Sequence, residues 1–239
     1  MERLQKILQK AGVASRRKAE ELIKEGHVQV NGETVTVLGT KAKFSDNITV
    51  DGKKIKIENK VYYVLYKPEG FVSTKHDEYN RLTVMDLIPV KENIFPVGRL
   101  DYNTSGVLIL TNDGEFANNL IHPKHKIEKE YSVKITGLLR KETSRALSRG
   151  IDLGDFKTQP ARIFNVKYDN AKENTFLNII ITEGKYHQVK RMFEKFGHKV
   201  IKLKRERFGT VTLKGLNRGD YRVLKIHEIK KLWNLSNNG

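Results

Sequence analysis

The sequence predicts an α+β protein in two parts: a small unit of two helices and β-hairpins over residues 1–60, and a larger sheet domain over residues 61–239. Apolar residues recur at helical spacing near the start of the chain and then give way to two hairpin signals. From Val61 onward, apolar and alternating segments typical of strands take over. The Lys-rich stretch 53–60 indicates a linker between the two parts.

Composition favours a globular protein and excludes several classes. Of the 239 residues, 38% are apolar and 31% are charged, which is enough hydrophobic material for a core. Cysteine is absent, which excludes disulfide scaffolds, thiolate metal sites and cysteine nucleophiles. No apolar run reaches the roughly 18 residues that span a bilayer, and the first residues lack the apolar core of a signal peptide. We therefore expect a cytoplasmic protein with no membrane partner.

The formal net charge of +17 is distributed unevenly. Residues 1–60 hold 13 basic and 8 acidic residues, residues 61–120 hold 5 and 8, and residues 121–239 hold 27 and 12. A strongly basic protein attracts polyanions, and the abundant polyanion of the cytoplasm is nucleic acid. The pattern favours nucleic-acid contacts from the two basic segments and chemistry in the middle one. A basic surface that serves only solubility is the alternative.

Two amphipathic helices open the chain. The apolar positions of the first recur at helical spacing and are Leu4, Ile7, Leu8 and Ala11. They predict a helix over residues 2–11, which Gly12 ends. Ser15 is the predicted N-cap of a second helix, which ends near Gly26.

Two hairpins follow the helices. Asn31-Gly32 lies between β-branched residues, and both residues of such a turn take positive φ, which Asn and Gly tolerate. Asp51-Gly52 repeats the signal. The apolar residues that flank this second turn are Ile48, Val50, Ile55 and Ile57.

Basic residues crowd this small unit in two places. The polar side of the first helix carries Arg3, Lys6 and Lys10, and the first turn of the second helix carries Arg16, Arg17 and Lys18. Cations at the start of a helix are unfavourable by about a few tenths of a kcal/mol each. We therefore expect a phosphate to bind against that turn. A solvated charged face is the alternative interpretation.

The larger domain contains an acidic candidate. Its first strand starts at Val61 and ends in a Lys-Pro pair and a glycine turn. Further along, Asp101 comes directly before a cluster of turn residues and the apolar strand VLIL. An acid in this position fits a site at the rim of a sheet. On spacing alone, an ordinary turn or capping role for Asp101 is the simpler interpretation.

Later segments supply further candidates. Tyr131 lies in an alternating segment typical of a half-buried strand and is expected to point inward. The elements expected after it are a strand over 178–182, a helix over 187–196 and a strand over 200–203. The helix carries adjacent Lys190 and Arg191, and the basic sequence KRER follows the last strand. Core packing for the aromatic residues and solvation for the basic ones are the alternative.

Two families are similar to this chain. Its opening closely resembles the S4 RNA-binding module in the stretch RLQKILQKAGVASRRKAEELIKEGHVQVNG. The larger domain resembles the RsuA/RluB family of ribosomal RNA pseudouridine synthases, whose signatures are GRLDxxTSGLLLLTNDG, KEY and EGKxHQVxRM. The matching segments are GRLDYNTSGVLILTNDG, the KEY at Lys129 to Tyr131, and EGKYHQVKRM at Glu183 to Met192. The resemblance spans nearly the whole chain, and Val107 and Ile109 replace leucines.

The resemblance implies both architecture and reaction. It implies an S4 module followed by a pseudouridine synthase domain with a mixed, mainly antiparallel sheet flanked by helices. The reaction breaks the uracil N1 bond to ribose C1′ and joins C1′ to C5, so it needs no cofactor. The seven histidines are not spaced as metal ligands, and no metal is expected either.

The resemblance makes Asp101 the catalytic carboxylate, acting either at C1′ or on the ribose 2′ proton. A partly buried Asp is ionised more readily beside a cation. Lys190 stands at the family's basic position and is favoured as that cation. Arg191 is the alternative, because neighbours on a helix point about 100° apart and only one can face Asp101.

The resemblance also assigns residues that bind the substrate. Tyr131 is expected to lie against the uracil, and Leu203 to close the pocket. Arg99, beside the catalytic acid, is expected to fill the space that a flipped uridine leaves, or to hold the flanking backbone.

The expected substrate is ribosomal RNA, and the chain is expected to be a monomer. Its opening and the stretch GHKVIKLKRERFG look most like the large-subunit branch of the family, which favours 23S over 16S rRNA. The small-subunit branch stays an alternative, because KYHQVKRMF also fits it. A non-catalytic S4-type RNA-binding protein is the third possibility.

Overall fold

The computed structural model describes residues 1–56 and 59–237. The chain divides into two compact units. The first comprises Met1–Val61, Lys91–Ile94 and Asn112–Gly114. The second comprises Tyr62–Val90, Phe95–Thr111 and Glu115–Gly239.

The first unit contains two helices and six short strands among its described residues. The helices are α1 (Leu4–Lys10) and α2 (Arg16–Lys24). The strands are β1 (Glu2–Arg3), β2 (Val28–Val30), β3 (Glu33–Thr34), β4 (Lys41–Ala42), β5 (Ile48–Val50) and β6 (Lys53–Lys54). Strand β1 pairs with β4, and the other four form a sheet in the order β3-β2-β5-β6.

The first helix is shorter than the sequence pattern predicts. Arg3 belongs to the extended strand β1, and the backbone N–H of Leu4 donates to the carbonyl oxygen of Thr40 at 2.8 Å. This pairing with β4 satisfies backbone groups that an earlier helix start would have used. Arg3 therefore precedes the helix and does not share a helical face with Lys6 and Lys10.

The second helix begins at its predicted cap. The Ser15 Oγ accepts a hydrogen bond from the backbone N–H of Lys18 at 3.3 Å. The core of the unit consists of Leu4, Ile7, Leu8, Ala19, Ile23, Val28, Ala42 and Ile48. These residues bury the apolar sides of both helices against the small sheet, and the basic side chains stay outside.

Both predicted hairpin turns are confirmed. The residues of Asn31-Gly32 and Asp51-Gly52 have φ between 47° and 90°, as the tight turns require. The second hairpin returns as Lys53–Lys54, so the stretch predicted as a linker begins with a strand. Ile57, predicted to belong to this hairpin, lies outside the described residues.

The second unit is built on a mixed sheet of nine strands within the described part of the chain. They are β7 (Tyr62–Lys67), β8 (Phe95–Pro96), β9 (Ser105–Thr111), β10 (Lys129–Thr136), β11 (Arg162–Asp169), β12 (Asn174–Ile181), β13 (Val200–Phe208), β14 (Val211–Thr212) and β15 (Tyr221–Val223). The main order is β11-β12-β10-β13-β9-β7-β15, with β8 beside β9 and β14 beside β13. Strands β9 and β13 run parallel, and the other pairings between these strands are antiparallel. The predicted sheet type is confirmed.

Helices accompany this sheet. They are α3 (Gly114–Ile121), α4 (Lys141–Arg149), α5 (Gln188–Glu194) and α6 (Ile226–Asn237). The core includes Phe116, whose ring meets those of Tyr62 and Trp233 edge-on at centroid distances of 4.9 and 5.6 Å. Across residues 1–56 and 59–237, no helix is long and apolar enough to cross a membrane.

Several elements differ from the sequence-based expectation. Strand β12 begins at Asn174, four residues earlier than expected, and β13 continues through KRER to Phe208. The basic run stays in the strand because Arg205 points inward and is 3% exposed, while β10 pairs along the whole run. Helix α5 is shorter than predicted, and α4 and β11 had no counterpart in the sequence pattern.

Candidate active site

Asp101 lies in the turn before β9, and a buried lysine holds this turn. The Nζ of fully buried Lys67 donates to the carbonyl oxygens of Pro68, Asp101 and Thr104 at 3.0, 3.1 and 2.9 Å. Burial lowers the pKa of Lys67 to about 8. This lysine ties the end of β7 to both ends of the turn and so fixes the backbone of Asp101. Sequence reasoning missed Lys67, although a lysine that closes an apolar strand before proline is a detectable signal.

The carboxylate of Asp101 faces two nitrogen groups from the start of α5. Lys190 Nζ lies 3.0 Å from Oδ2, and His187 Nε2 lies 3.6 Å from Oδ1. His187 precedes the helix in the left-handed conformation, with φ of 49°. The Asp101 side chain remains 30% exposed, so a bound molecule can contact its carboxylate. The positive charge of Lys190 balances the negative charge of this carboxylate.

Arg191 points away from Asp101. Its guanidinium pairs with the Asp155 carboxylate and donates to the Leu153 carbonyl oxygen at 3.2 Å. The predicted alternative, in which Arg191 faces Asp101, is therefore wrong. The physical reason is the rotation of about 100° between neighbouring residues of a helix.

Asp101 opens onto a cavity of about 120 Å³. Tyr131 on β10 and Leu203 on β13 line its wall and are 7% and 5% exposed. Arg99 lies on the rim and is exposed. The structure thus brings together Asp101, Tyr131, Leu203 and Arg99 around one cavity, and Lys190 joins them through its ion pair with Asp101. Their chemical roles stay predictions.

Two buried cations line the same cavity, and the sequence pattern indicated a role in the site for neither. Lys129 is 8% exposed, and its Nζ donates to the carbonyl oxygens of Ile127 and Thr182 at 3.0 and 3.4 Å. Burial, helped by the nearby charge of Arg205, lowers the pKa of Lys129 to about 8. The Arg205 Nε donates to Val107, whereas its buried Nη2 has no acceptor among the described residues. Strand alternation was the available signal, because these cations share a face with Tyr131 and Leu203.

The basic residues of the first unit are exposed or half-buried. Arg3, Lys6 and Arg16 line one hollow of that unit together with Lys41. Arg16, Arg17 and Lys18 are exposed at the start of α2, as predicted. Glu2 lies 2.7 Å from Lys6, and Glu21 lies 2.9 Å from Lys18, so acids of the same unit partly offset the positive charge.

In the described residues, no three His, Asp or Glu side chains come together as ligands for a metal ion. His122 and His125, which are three residues apart, meet edge to face with ring centroids 5.9 Å apart.

The mixed sheet of the second unit presents an ion-paired carboxylate beside the Tyr131 ring, and the same chain carries a basic helical unit. This combination indicates an enzyme that acts on RNA. The family model for RNA pseudouridylate synthase matches residues 61–195, and the S4 domain model matches residues 2–48. The chain belongs to the RNA pseudouridylate synthase family and carries an S4 domain.

Similar proteins agree with this assignment. The chain is 52% identical over 240 residues to the ribosomal large subunit pseudouridine synthase B of Bacillus subtilis (strain 168), covering 100% of this chain and 98% of that protein. It is 40% identical to the protein of that name in Yersinia pestis, with coverages of 94% and 73%. A crystal structure of a pseudouridylate synthase matches with a TM-score of 0.68 and 32% identity, covering 97% and 100% of the two chains. The predicted enzyme class and fold are confirmed.

Proposed function

We propose that the chain converts a uridine of 23S ribosomal RNA to pseudouridine, with Asp101 as the catalytic carboxylate. The observation that carries this proposal is the Asp101–Lys190 ion pair of 3.0 Å at a cavity lined by Tyr131. The names of the relatives from Bacillus subtilis and Yersinia pestis, which refer to the large ribosomal subunit, favour 23S over 16S rRNA. An enzyme with this substrate works in the cytoplasm.

The reaction is an isomerisation that balances without a cofactor. The bond between N1 and C1′ breaks with its electron pair on the uracil, the base turns, and C5 bonds to C1′. C5 then loses its proton and N1 gains one. The sugar carbon is electron-poor during cleavage, and a carboxylate stabilises it, as in glycoside hydrolysis. Asp101 either attacks C1′ or removes the 2′ proton, and in both routes its carboxylate acts beside the Lys190 ammonium, 3.0 Å away.

The other cavity residues suit the leaving uracil. Stacking on Tyr131 contributes about 1 to 3 kcal/mol, and Leu203 closes the apolar side against water. Lys129 and Arg205 give the cavity positive charge where the uracil becomes negative, and such preorganised charge acts most strongly away from water. The unsatisfied Nη2 of Arg205 gains an acceptor when a uracil carbonyl oxygen arrives.

A uridine inside folded RNA must leave its stack before it can reach Asp101. Flipping costs a few kcal/mol, which stacking and phosphate contacts offset. Arg99 at the rim is placed to enter the vacated space or to hold the flanking phosphate. Phosphate contacts from Arg3, Lys6 and the exposed start of α2 retain the RNA during this step.

Mapping of new pseudouridine tests the proposal. Purified protein is incubated without cofactor or metal with unmodified 16S and 23S transcripts, and carbodiimide-dependent primer-extension stops are recorded. We expect a stop in 23S rRNA with the wild type and none with Asp101→Asn, although that variant still binds the RNA. A stop only in 16S rRNA would reverse the choice of substrate. Full activity of Asp101→Asn, or binding without any stop, would contradict the catalytic proposal.

A further inference from the structure

We propose that Tyr186, Tyr102 and Tyr79 form a stacking subsite for unpaired nucleotides next to the target uridine. This inference rests on the proposed function, because it names what binds beside the Asp101 cavity. It implies that the enzyme selects uridines in loops or bulges, where neighbouring bases are free to stack on protein side chains.

The first observation is a ring column that leads outward from the catalytic carboxylate. His187 lies 3.6 Å from Asp101, and its ring stacks on that of Tyr186 with centroids 3.9 Å apart and planes 16° apart. Tyr186 is 71% exposed, so much of its surface remains available to another ring. A base stacked on Tyr186 would extend the column, in the way that aromatic side chains hold single-stranded RNA.

The second observation is that two more exposed tyrosines share this surface. Tyr186, Tyr102 and Tyr79 line one open hollow of about 760 Å³, and Asp101 lies at the same hollow. Tyr102 is 47% exposed and Tyr79 is 78% exposed. Three exposed tyrosines around one hollow are more than scattered surface residues, and such a cluster marks a binding surface.

The segment that presents Tyr79 is held in place. Asp77 accepts hydrogen bonds from the backbone N–H groups of Tyr79 and Arg81 and from the Arg81 side chain. The Arg81 guanidinium also lies over the Tyr79 ring, 5.2 Å from its centroid. The hydrogen bonds from Arg81 lower the pKa of Asp77 to about 2, so this clamp persists at neutral pH. A preorganised ring loses less entropy when it binds.

Continuity with the Asp101 site favours RNA over a protein as the occupant. Arg99 and Lys185 line the hollow beside the tyrosines; of its acids, Asp77 is paired with Arg81, Asp101 is paired with Lys190, and Glu78 is exposed. Flat rings between cations match alternating bases and phosphates.

Tyr102 and Tyr186 also stand at x positions of the family signature segments. The signature does not prescribe a tyrosine there, which fits a role in substrate choice rather than in the chemistry.

Equilibrium fluorescence tests the subsite. The probe is an eleven-nucleotide RNA with a central uridine, carrying 2-aminopurine on either its 5′ or its 3′ side. Stacking quenches this base, and anisotropy of an end label reports binding. We expect saturating wild type to quench one of the two probes. We expect Tyr186→Ala to weaken binding by about 5- to 100-fold and to restore the emission, because the probe base no longer stacks on a ring.

Matched variants separate stacking from structural damage. Tyr186→Trp should keep both binding and quenching, and Tyr168→Ala, an exposed tyrosine of β11 outside the hollow, should behave as the wild type. The inference fails if Tyr186→Ala quenches as the wild type does, or if the wild type binds neither probe, since stacking on tyrosine tolerates most sequences. If the wild type makes pseudouridine in rRNA but does not quench the 2-aminopurine probes, the stacking subsite alone is contradicted. If it quenches a probe but makes no pseudouridine, the proposed function alone is contradicted.

Discussion

Single positions on α5 decide which cation lies beside the Asp101 carboxylate. Lys190 lies 3.0 Å from Asp101, whereas its neighbour Arg191 pairs with Asp155. A shift of one residue would exchange the two, because the helix turns about 100° per residue. The charge near Asp101 is thus set by the exact start of the helix, where His187 takes a left-handed conformation.

We expect Lys190→Met to lower kcat by about 100-fold or more with little change in RNA binding, because the reaction loses a preorganised charge beside Asp101. Arg191→Met is the matched control on the same helix and should keep most of the activity. Single-turnover rates of pseudouridine formation provide the measurement. Equal losses in the two variants would contradict the assignment of Lys190.

We expect Lys129 to make stability depend on pH in the alkaline range. Its pKa falls from 10.5 to about 8 on burial, so between these values the unfolded chain binds more protons than the folded chain. The free energy of unfolding of the wild type should therefore rise with pH, relative to Lys129→Met, by up to about 1.4 kcal/mol per pH unit. Below pH 8 the difference between the two proteins should be constant.

Denaturant unfolding at pH 7 to 10.5 measures this effect. Lys134→Met, on the half-buried alternate side of the same strand, is the control for the loss of a lysine. If the plots of unfolding free energy against pH for the wild type and Lys129→Met stay parallel from pH 7 to 10.5, burial does not lower the pKa of Lys129.

At the scale of elements, the parallel pairing of β9 with β13 positions the site. This pairing joins Ser105 and Gly106 to Lys204 and Arg205, and so brings the Asp101 turn beside the cavity wall. Gly106 makes the approach possible. A Cβ at this position would lie 2.2 Å from the carbonyl oxygen of Arg205, and its φ is 122°.

We expect Gly106→Ala to destabilise the second unit by about 3 kcal/mol or more, because the added methyl group must push β9 away from β13. Gly215→Ala is the control, since Gly215 also has positive φ but no atom lies within 4 Å of its added Cβ. Thermal unfolding followed by far-UV circular dichroism measures the destabilisation of each variant. A similar loss in both variants would mean that backbone strain, and not the close approach, sets the cost.

At the scale of the whole molecule, the charge of +17 implies strong and salt-dependent binding of RNA. The S4 domain adds a second RNA-binding surface to the same chain as the catalytic unit, which raises the effective concentration of the catalytic site on its substrate. Its basic residues should therefore affect affinity more than chemistry.

We expect Arg16→Ala/Arg17→Ala to raise KM several-fold while kcat stays the same. The slope of log KM against log salt should fall by roughly 0.7 to 0.9 for each phosphate that the variant no longer neutralises. Lys230→Ala/Lys231→Ala, two exposed lysines on α6, is the control of equal charge. A drop in kcat equal to the rise in KM would instead show that these arginines shape the active site.

The sequence by itself determined the fold class, both hairpin turns and the cap at Ser15, because local patterns and turn residues act over a few positions. The long signature segments determined the enzyme family and the candidates Asp101, Tyr131 and Lys190. The extent of β12 and β13 was not predictable, because pairing with β10 extends them beyond what their own residues indicate.

Only the tertiary structure decided that Lys190 and not Arg191 faces Asp101, and that His187 and Tyr186 continue outward from it. Only the tertiary structure placed the buried cations Lys67, Lys129 and Arg205 around the site, since a lysine in an alternating strand is equally compatible with a solvated position. The physical reason is common to all of these residues. Their positions depend on strands far apart in sequence, and packing between such segments leaves no local pattern.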